Sequence, residues 1–509
     1  MSTNCVILSG LVHSKETLVP VFKTAGPYRI ATELREAGYT VQVIDISHLQ
    51  DFNGMVKQIL KKFIDKETLW IGFSLNFFWE IWGYPYFETE IEHLVYKKQN
   101  PDYDKNIKNF INFCRTLNPN IKFITGGVRL FDFSDFGFTH FQGHVDKEIV
   151  DFTNSLAQDK NFEPPSIIKN YEFKNFCNSR LHYTERDVFN GEKALPIEIT
   201  RGCIFKCKFC SFPLNGKNKG DFIKDYSILY DEFVYNYEKF GVTHYMFSDD
   251  TYNDSVQKIT DLHNKIFSRL PFKITFTSYI RLDLVHRFPE TVDILRESGL
   301  KSAVCGVETL DPVAAKLIGK GTNPQLLVDF MHNLKEDKWK DILTHSGWII
   351  GFPSETKQSI LKFIKWIYSD ENPFNENALH HLRLSPKEFK SRAFYLSDFD
   401  ITFDQRGYEF KVDQNGKVYW SMKDKDLDEK WCRKIETLHN SMKESDKNQK
   451  RKNQRMGSFG YSQYINLGIP EEALLTKTSG DIWNDYDIFK MIKEYDTNYI
   501  KKLMALPPQ

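Results

Sequence analysis

The chain has no excess charge of either sign and little cysteine. Of 509 residues, 68 are Lys or Arg and 68 are Asp or Glu, a formal net charge of zero. A neutral total argues against wholesale wrapping of nucleic acid. Eight cysteines, unevenly placed, do not make a disulfide framework. No basic stretch followed by a long apolar run opens the sequence, so no signal peptide is expected. The most apolar stretch, Leu69 to Phe87, is broken by Asn76, Glu80 and Pro85 and does not read as a membrane span. No motif recurs at a period of roughly 20–50 residues. Together these absences predict a cytoplasmic globular protein.

Apolar residues make up 41% of the chain, enough to bury cores, and its length calls for two or three domains. Residues 1–160 alternate short apolar runs with helical periodicity. Strands are expected at Cys5–Ser9, Tyr39–Ile46, Trp70–Ser74 and Ile121–Thr125, with helices at Pro27–Ala37, Met55–Ile64, Ile107–Leu117 and Lys147–Leu156. Strands separated by helices predict an α/β fold with a doubly wound, flavodoxin-like parallel sheet. Ligands of such sheets sit beyond the carboxyl ends of the strands. That rule singles out Gly126 and Gly127, where a backbone can approach a ligand closely.

Residues 161–190, polar and proline-containing, are expected to be a linker. Residues 191–400 alternate again, with strands at Leu195–Thr200, Thr243–Phe247, Ile274–Ser278, Ser302–Val307, Thr344–Ile350 and Leu379–Leu384. Six βα units suit an open partial (β/α)6 barrel. Residues 401–509 should be mostly helical after a hairpin, Tyr408–Val412 with Lys417–Trp420, turning at Asn415-Gly416. Within them, Lys447 to Arg455 holds five basic residues in nine, a solvated face or an RNA-touching helix. Gly457 to Gly468 is expected as a loop over the barrel mouth.

Three cysteines stand together in Thr200-Arg-Gly-Cys203-Ile-Phe-Lys-Cys207-Lys-Phe-Cys210, directly after a strand. Soft thiolates select Fe–S clusters, zinc or copper(I). A structural zinc takes four protein ligands, and no fourth Cys or His lies at a fitting distance. Three ligands on a four-iron cluster leave one iron open to bind a cofactor. The other five, Cys5, Cys114, Cys177, Cys305 and Cys432, read as small buried hydrophobes.

The Cx₃CxΦC pattern, with Phe209 at the aromatic position, resembles the signature of the radical S-adenosylmethionine (SAM) superfamily. The resemblance extends from about Ile197 to Arg383. It implies that Cys203, Cys207 and Cys210 hold a [4Fe–4S] cluster that cleaves SAM reductively to a 5′-deoxyadenosyl radical, which removes hydrogen from substrate. Phe247-Ser248-Asp249-Asp250-Thr251 occupies the place of the family's Gly-Gly-Glu stretch, which meets the amino group of SAM, although the two glycines are absent. Ser278 and Arg281 resemble positions near the carboxylate and ribose. Gly306-Val-Glu308-Thr309 resembles a segment whose acid contacts the cofactor. Gly347-Trp-Ile349-Ile-Gly351-Phe-Pro-Ser-Glu355 is similar to the segment that lines the adenine, with one residue too many before the Glu. Bland alternatives stand beside these: helix N-terminal acids for Asp249, Asp250 and Glu308, a salt bridge for Arg281, a turn at Gly351.

An α/β domain before such a core resembles the cobalamin-binding domain of cobalamin-dependent radical SAM enzymes. Gly26-Pro-Tyr-Arg-Ile-Ala-Thr-Glu-Leu-Arg35, Gly72-Phe-Ser74 and Gly126-Gly127 fall in the order seen there. The loop that supplies a histidine to cobalt is missing; His13 lacks its flanking Asp and Gly. Cobalamin binding and a vestigial or substrate-holding fold both stay open. The aromatic stretch Phe77 to Phe87 could cover a planar cofactor, clamp a substrate or fill a core. The resemblance implies a small-molecule or peptide substrate, cobalamin-assisted methyl transfer as one outcome, and an external electron donor such as flavodoxin or ferredoxin. The alternatives are an RNA-modifying radical SAM enzyme and, in a different class, a zinc-bound binding module.

Overall fold

The computed structural model describes residues 2–9, 22–45, 52–74, 105–127, 136–159, 161–170, 176–212, 214–384, 396–414, 418–444, 458–477 and 479–507. His13, the stretch Phe77 to Phe87, the Asn415-Gly416 turn and Lys447 to Arg455 lie outside the described residues.

The first sheet runs β2-β1-β3-β4-β5-β6, all parallel: β1 Cys5–Ser9, β2 Val41–Asp45, β3 Trp70–Ser74, β4 Lys122–Gly126, β5 Phe138–Gly143 and β6 Ile167–Asn170. Every residue of β1 is buried, as a strand covered by helices on both faces requires. The helices stand at Ala25–Glu36, Lys57–Phe63, Lys105–Leu117 and Asp146–Gln158. Two strands differ from expectation. In β5, Thr139, His140 and Gln142 interrupt the apolar pattern, and the imidazole Nδ1 of His140 lies 2.9 Å from Thr125 Oγ1. Its partner β6 falls inside the segment expected as a linker; it is only four residues long, with Lys169 and Asn170 after two isoleucines, and lies at the sheet edge, where short strands resist further pairing.

The second sheet runs β12-β11-β10-β9-β8-β7, also parallel: β7 Ala194–Ile197, β8 His244–Phe247, β9 Thr275–Ile280, β10 Leu300–Glu308, β11 Leu343–Ile350 and β12 Glu376–His381. Strand order follows chain order, with helices between, and β7 and β12 form the two edges of an open partial barrel. The antiparallel hairpin of β13 Tyr408–Val412 and β14 Val418–Met422 lies against its carboxyl end. Tyr408 Oη donates to the Gly351 carbonyl (2.7 Å), and Trp420 Nε1 donates to the Leu382 carbonyl (2.7 Å).

Residues 458–468 do not form the expected loop over the mouth. The helix Ser458–Asn466 closes the opposite, amino-terminal end of the barrel. Asn466 Oδ1 accepts from the N–H groups of Lys193 (3.0 Å) and Ala194 (2.8 Å), and its Nδ2 donates to Ala194 O (3.1 Å). Ser462 Oγ lies 3.0 Å from Nε2 of His244, the first residue of β8. Tyr461, Tyr464 and Ile465 form a core with Ala194 and Leu343. The last helix, Ile488–Ala505, returns to the first sheet: Tyr499 and Leu503 join a core with Val6, Leu8 and Ile71.

No helix among the described residues is long and apolar enough to cross a membrane. Cys5, Cys114, Cys305 and Cys432 are buried as expected, whereas Cys177 is exposed.

Replacing Asn466 by Leu would strand the buried N–H of Ala194 and the part-buried N–H of Lys193 at the start of β7. The variant is expected to lose about 1–3 kcal/mol of stability, read as a lower urea midpoint than the parent chain. An unchanged midpoint would show that this helix does not secure the barrel floor.

Candidate active site

The cysteine loop leaves β7 at its carboxyl end and is tethered before it begins. The Asp249 carboxylate accepts from the backbone N–H groups of Ile199 (3.0 Å) and Thr200 (2.9 Å) and from the Thr200 hydroxyl (3.1 Å). Asp249 is fully buried, and desolvation pushes its carboxyl up. Its side chain thus holds the loop, a positioning role distinct from the cofactor contact implied for it. Gly202 follows at φ +74°, and a Cβ there would stand 2.5 Å from Leu214 Cβ. Conformation and space both demand glycine there. The return strand of the loop is fixed by Cys203 N–H to Leu214 O (3.2 Å) and Gly216 N–H to Cys203 O (2.7 Å).

The three cysteines are half-buried. Burial raises the Cys203 thiol and raises that of Cys210 to about 11, and Cys203 and Cys207 add to the rise at Cys210. Thiolates this close and this desolvated call for a cationic partner. Arg281 Nη1 donates to Cys207 Sγ (3.7 Å), and Thr251 Oγ1 lies 3.2 Å from Cys203 Sγ. Among the described residues, no three His, Cys, Asp or Glu side chains converge so as to hold a single ion. Three soft thiolates on one loop fall short of the four protein ligands that a structural zinc takes. The donor set fits a [4Fe–4S] cluster.

Around the loop, the other residues singled out in the sequence fall into distinct settings. Ser248 is exposed beyond the end of β8. Asp250 is half-buried; burial, with Asp249 beside it, raises its carboxyl to about 6. Arg281 is 7% exposed, forms two bonds with Asp283 (3.0 and 2.5 Å) and lies over the Phe205 ring. Glu308 ends β10 at φ +74°, a strained conformation for a non-glycine residue, and its Oε1 lies 3.5 Å from Lys320 Nζ. Ile349 is half-buried near the end of β11. Gly351 has φ +107°, and a Cβ there would meet Trp420 Cζ2 at 2.7 Å. Glu355 accepts from the N–H groups of Gly351 (2.7 Å) and Phe352 (2.9 Å), so its carboxylate shapes this turn. The Phe209 ring meets that of Phe352 edge-on.

Ser278 stands apart from these residues. It shares a face of β9 with Phe276, which stacks on Phe247 and Phe267 in the core. It is 2% exposed, away from the site. The opposite face presents Tyr279, 38% exposed beside Asp250, whose charge helps burial raise the phenol to about 12. Strand alternation, counted from the buried Phe276 and Ile280, could have found Tyr279.

Sequence reading also missed a joint between the sheets. Arg201, two residues before Cys203, bonds Glu198 (2.7 and 3.0 Å) and, across the domains, Asp146 (3.1 Å). Arg29 bonds Asp146 (2.7 Å) and Glu198 (3.3 Å), closing a ring of two cations and two anions. Burial pushes the Glu198 and Asp146 carboxyls up, but the two guanidiniums hold both below their ordinary values. His144, just past β5, lies 3.5 Å from Arg201 Nη1. Burial and that guanidinium lower its pKa to about 3, so its imidazole is neutral. The carboxyl end of the first sheet thus meets the cysteine loop. On that sheet, Ser74 and Gly126 pair in register, and Gly127 N–H donates to Phe141 O (3.3 Å).

Residues 197–367 match the model of the Radical SAM superfamily, and the chain carries that domain. An uncharacterized methyltransferase, PH0819, of Pyrococcus horikoshii is 29% identical over 174 residues, 33% of this chain and 35% of that protein. The chain thus spans about a third of the length of the curated relative it matches. Among solved structures, the radical SAM methyltransferase TsrM of Kitasatospora setae, with tryptophan and a SAM analog bound, has a TM-score of 0.57 at 13% identity, over 91% of this chain and 95% of that one. The cobalamin-dependent radical SAM enzyme OxsB, with aqua-cobalamin bound, has a TM-score of 0.52 at 13% identity, over 99% and 80%. The chain shares their fold.

The raised Asp250 carboxyl makes a signed prediction. Unfolded, this acid ionises near 3.8; folded, near 6. Between those values the folded state binds the extra proton, so stability falls as pH rises from about 4 to 6 and the cost persists above. Asp250→Asn should therefore stabilise the metal-free chain by about 1–3 kcal/mol at pH 8 and by little at pH 4. Equal gains in urea melts at both pH values would refute this.

Proposed function

We propose that the chain is a cobalamin-dependent radical SAM methyltransferase acting on a small molecule. One observation carries the reading. Arg201 of the cysteine loop is bonded to Asp146 beyond the carboxyl end of the first sheet, so a ligand of that sheet would face a ligand of the barrel.

Residues 191–400 then hold the cluster and SAM, residues 1–160 hold cobalamin, 161–190 join them, and 401–509 brace both. Cys203, Cys207 and Cys210 ligate three irons. When bound, the cluster supplies an electron and an open coordination site for SAM, and cobalamin supplies a methyl carrier. Asp250 and Ser248 take the amino group of SAM. The charge-assisted bond of Asp250 to an ammonium ion repays its desolvation. Arg281 sets a positive charge against Cys207 and draws electron density from that thiolate. Glu308, held by Lys320, accepts from ribose hydroxyls, while Ile349 and the backbone of Gly351 face the adenine. Phe209 shields the cluster from water. Ser74, Gly126 and Gly127 leave room for a macrocycle at the carboxyl end of the first sheet. Tyr279 faces the substrate. TsrM, whose structure holds tryptophan, is the model for a small substrate, and PH0819 supports methyl transfer by its name.

The test uses the full chain, reconstituted anaerobically. Each of Cys203→Ala, Cys207→Ala and Cys210→Ala should retain less than about a tenth of the parent's iron and lose the absorption band near ~400 nm. With SAM and cobalamin, S-adenosylhomocysteine should appear; 5′-deoxyadenosine alone, with no cobalamin retained on gel filtration, would sink methyl transfer. Asp146→Ala should remove the carboxylate that Arg29 and Arg201 share, leaving them Glu198 and, for Arg29, Glu33 at 3.7 Å, and cost about 3–5 kcal/mol. Its iron-loaded form should lose affinity for cobalamin, measured by equilibrium dialysis, and unchanged affinity would remove the joint from the mechanism.

A further inference from the structure

Below the cysteine loop, the inner face of the barrel is built in layers. Tyr279 of β9, Val304 of β10, His345 of β11 and Glu376 of β12 stand in register across four strands. Residues side by side in a parallel sheet share a face, and packing identifies the other face. Ala303 and Cys305 belong to the main core, and Trp348 meets Phe363 and Trp366 of the helix Lys357–Ile367. The layer of Tyr279 therefore points into the barrel. Within it, His345 Nδ1 lies 3.2 Å from Glu376 Oε2. These side chains are 15% and 9% exposed, within reach of a ligand and shielded from bulk water.

The next layer towards the mouth is Gly306, Gly347 and Ala378, again in register. None carries more than a methyl group. A Cβ on Gly347 would meet no atom within 4 Å, so the space beside it is open. A Cβ on Gly306 would stand 2.6 Å from Glu308 Oε1 and 3.4 Å from Lys320 Nζ, which roof this layer. Ile349, assigned above to the adenine, is four residues from His345, about 13 Å along the strand. Bare strand backbone lets a flat group approach closely. The space thus has a smooth wall, a roof at the cofactor level and a floor of imidazole and carboxylate.

The floor selects what enters. An imidazole beside a carboxylate leaves the pair neutral or negative, so it repels an anion and accepts hydrogen bonds from a donor. Lys320 is turned away from this floor: it donates to Gly306 O (2.7 Å) and lies 3.5 Å from Glu308 Oε1.

We infer that this space binds the substrate, a flat ring system carrying a nitrogen donor at the end remote from the cofactor. The inference rests on the reading that the barrel holds SAM at its mouth, and it names the substrate class for that reaction. His345 and Glu376 accept from the nitrogen. Gly306, Gly347 and Ala378 lie along the ring face, and Tyr279 bounds the ring on the side of β9.

The test is ligand-observed NMR on the full chain, metal-free and iron-loaded, with indole, benzamidine and benzoate as probes. Indole and benzamidine should bind with a Kd of about 1 mM or tighter, and benzoate at least about ten-fold more weakly. Glu376→Gln keeps the shape and removes the charge. It should weaken benzamidine by about ten-fold and neutral indole by less than about three-fold. Gly347→Val fills the open space on a strand that suits β-branched residues. It should abolish binding of indole and benzamidine while leaving the urea midpoint no lower than the parent's. Equal binding of benzoate and benzamidine, or parent-like binding by Gly347→Val, would overturn the proposal. So would a chain that loads iron and binds none of the probes, with the cluster reading left standing. The expected pattern in a chain that takes up no iron would support the pocket and refute the cluster reading instead.

Discussion

Two adjacent acids with opposite fates organise this molecule. Asp249 is fully buried and spends its carboxylate on three donors at the start of the cysteine loop. Without those acceptors, the N–H groups of Ile199 and Thr200 would be stranded where β7 ends, and the loop would lose its exit direction. Asp250, the next residue, cannot share that task. It is left half-buried beside its neighbour, and burial with the adjacent acid holds its proton more tightly than usual. The scaffolding residue thus prepares the neighbouring group to welcome a cation. Loop geometry and site electrostatics come from one turn of backbone after β8.

A second constraint joins the two sheets. Charges taken out of water must be matched with good geometry, and the ring of Arg29, Asp146, Glu198 and Arg201 meets that demand with a bidentate contact of Arg201 on Glu198 and single bonds elsewhere. The Phe176 ring centroid lies 5.6 Å from the Arg29 guanidinium and 4.9 Å from that of Arg201, and offers both a ring face in place of water. The ring draws its members from the first sheet's helices and from β7's exit. The approach of one domain to the other is therefore fixed at the place where their ligands would meet.

The sequence made much of this legible because apolar runs such as Cys5–Ser9 and Trp70–Ser74 carry their own evidence of burial. It was less informative where tertiary contact outweighs local pattern. Thr139 and His140 hide β5 because the hydroxyl and the imidazole find partners, Pro165 O and Thr125 Oγ1, only once the sheet is built. Gly457, Gly460 and Gly468 read as punctuation, yet Tyr461, Tyr464 and Ile465 lie at helical spacing and fold onto the barrel floor. At the site, the cysteine spacing named the chemistry, but the alternation of β9 had to be counted to see that Tyr279, not Ser278, faces inward. The joint through Arg201 was invisible, since ion pairing across domains leaves no trace in local sequence.

The floor of the barrel comes from Ser458–Asn466, and the helix Ile488–Ala505 lies against the first sheet. Both are made after every strand they touch. During synthesis the first sheet must wait for Tyr499 and Leu503, more than three hundred residues downstream of its last strand, before its core is complete. Contacts of such long sequence separation form late, so the nascent chain leaves the ribosome with both sheets unfinished. Proteins that shield exposed apolar surface would have their longest opportunity to bind there.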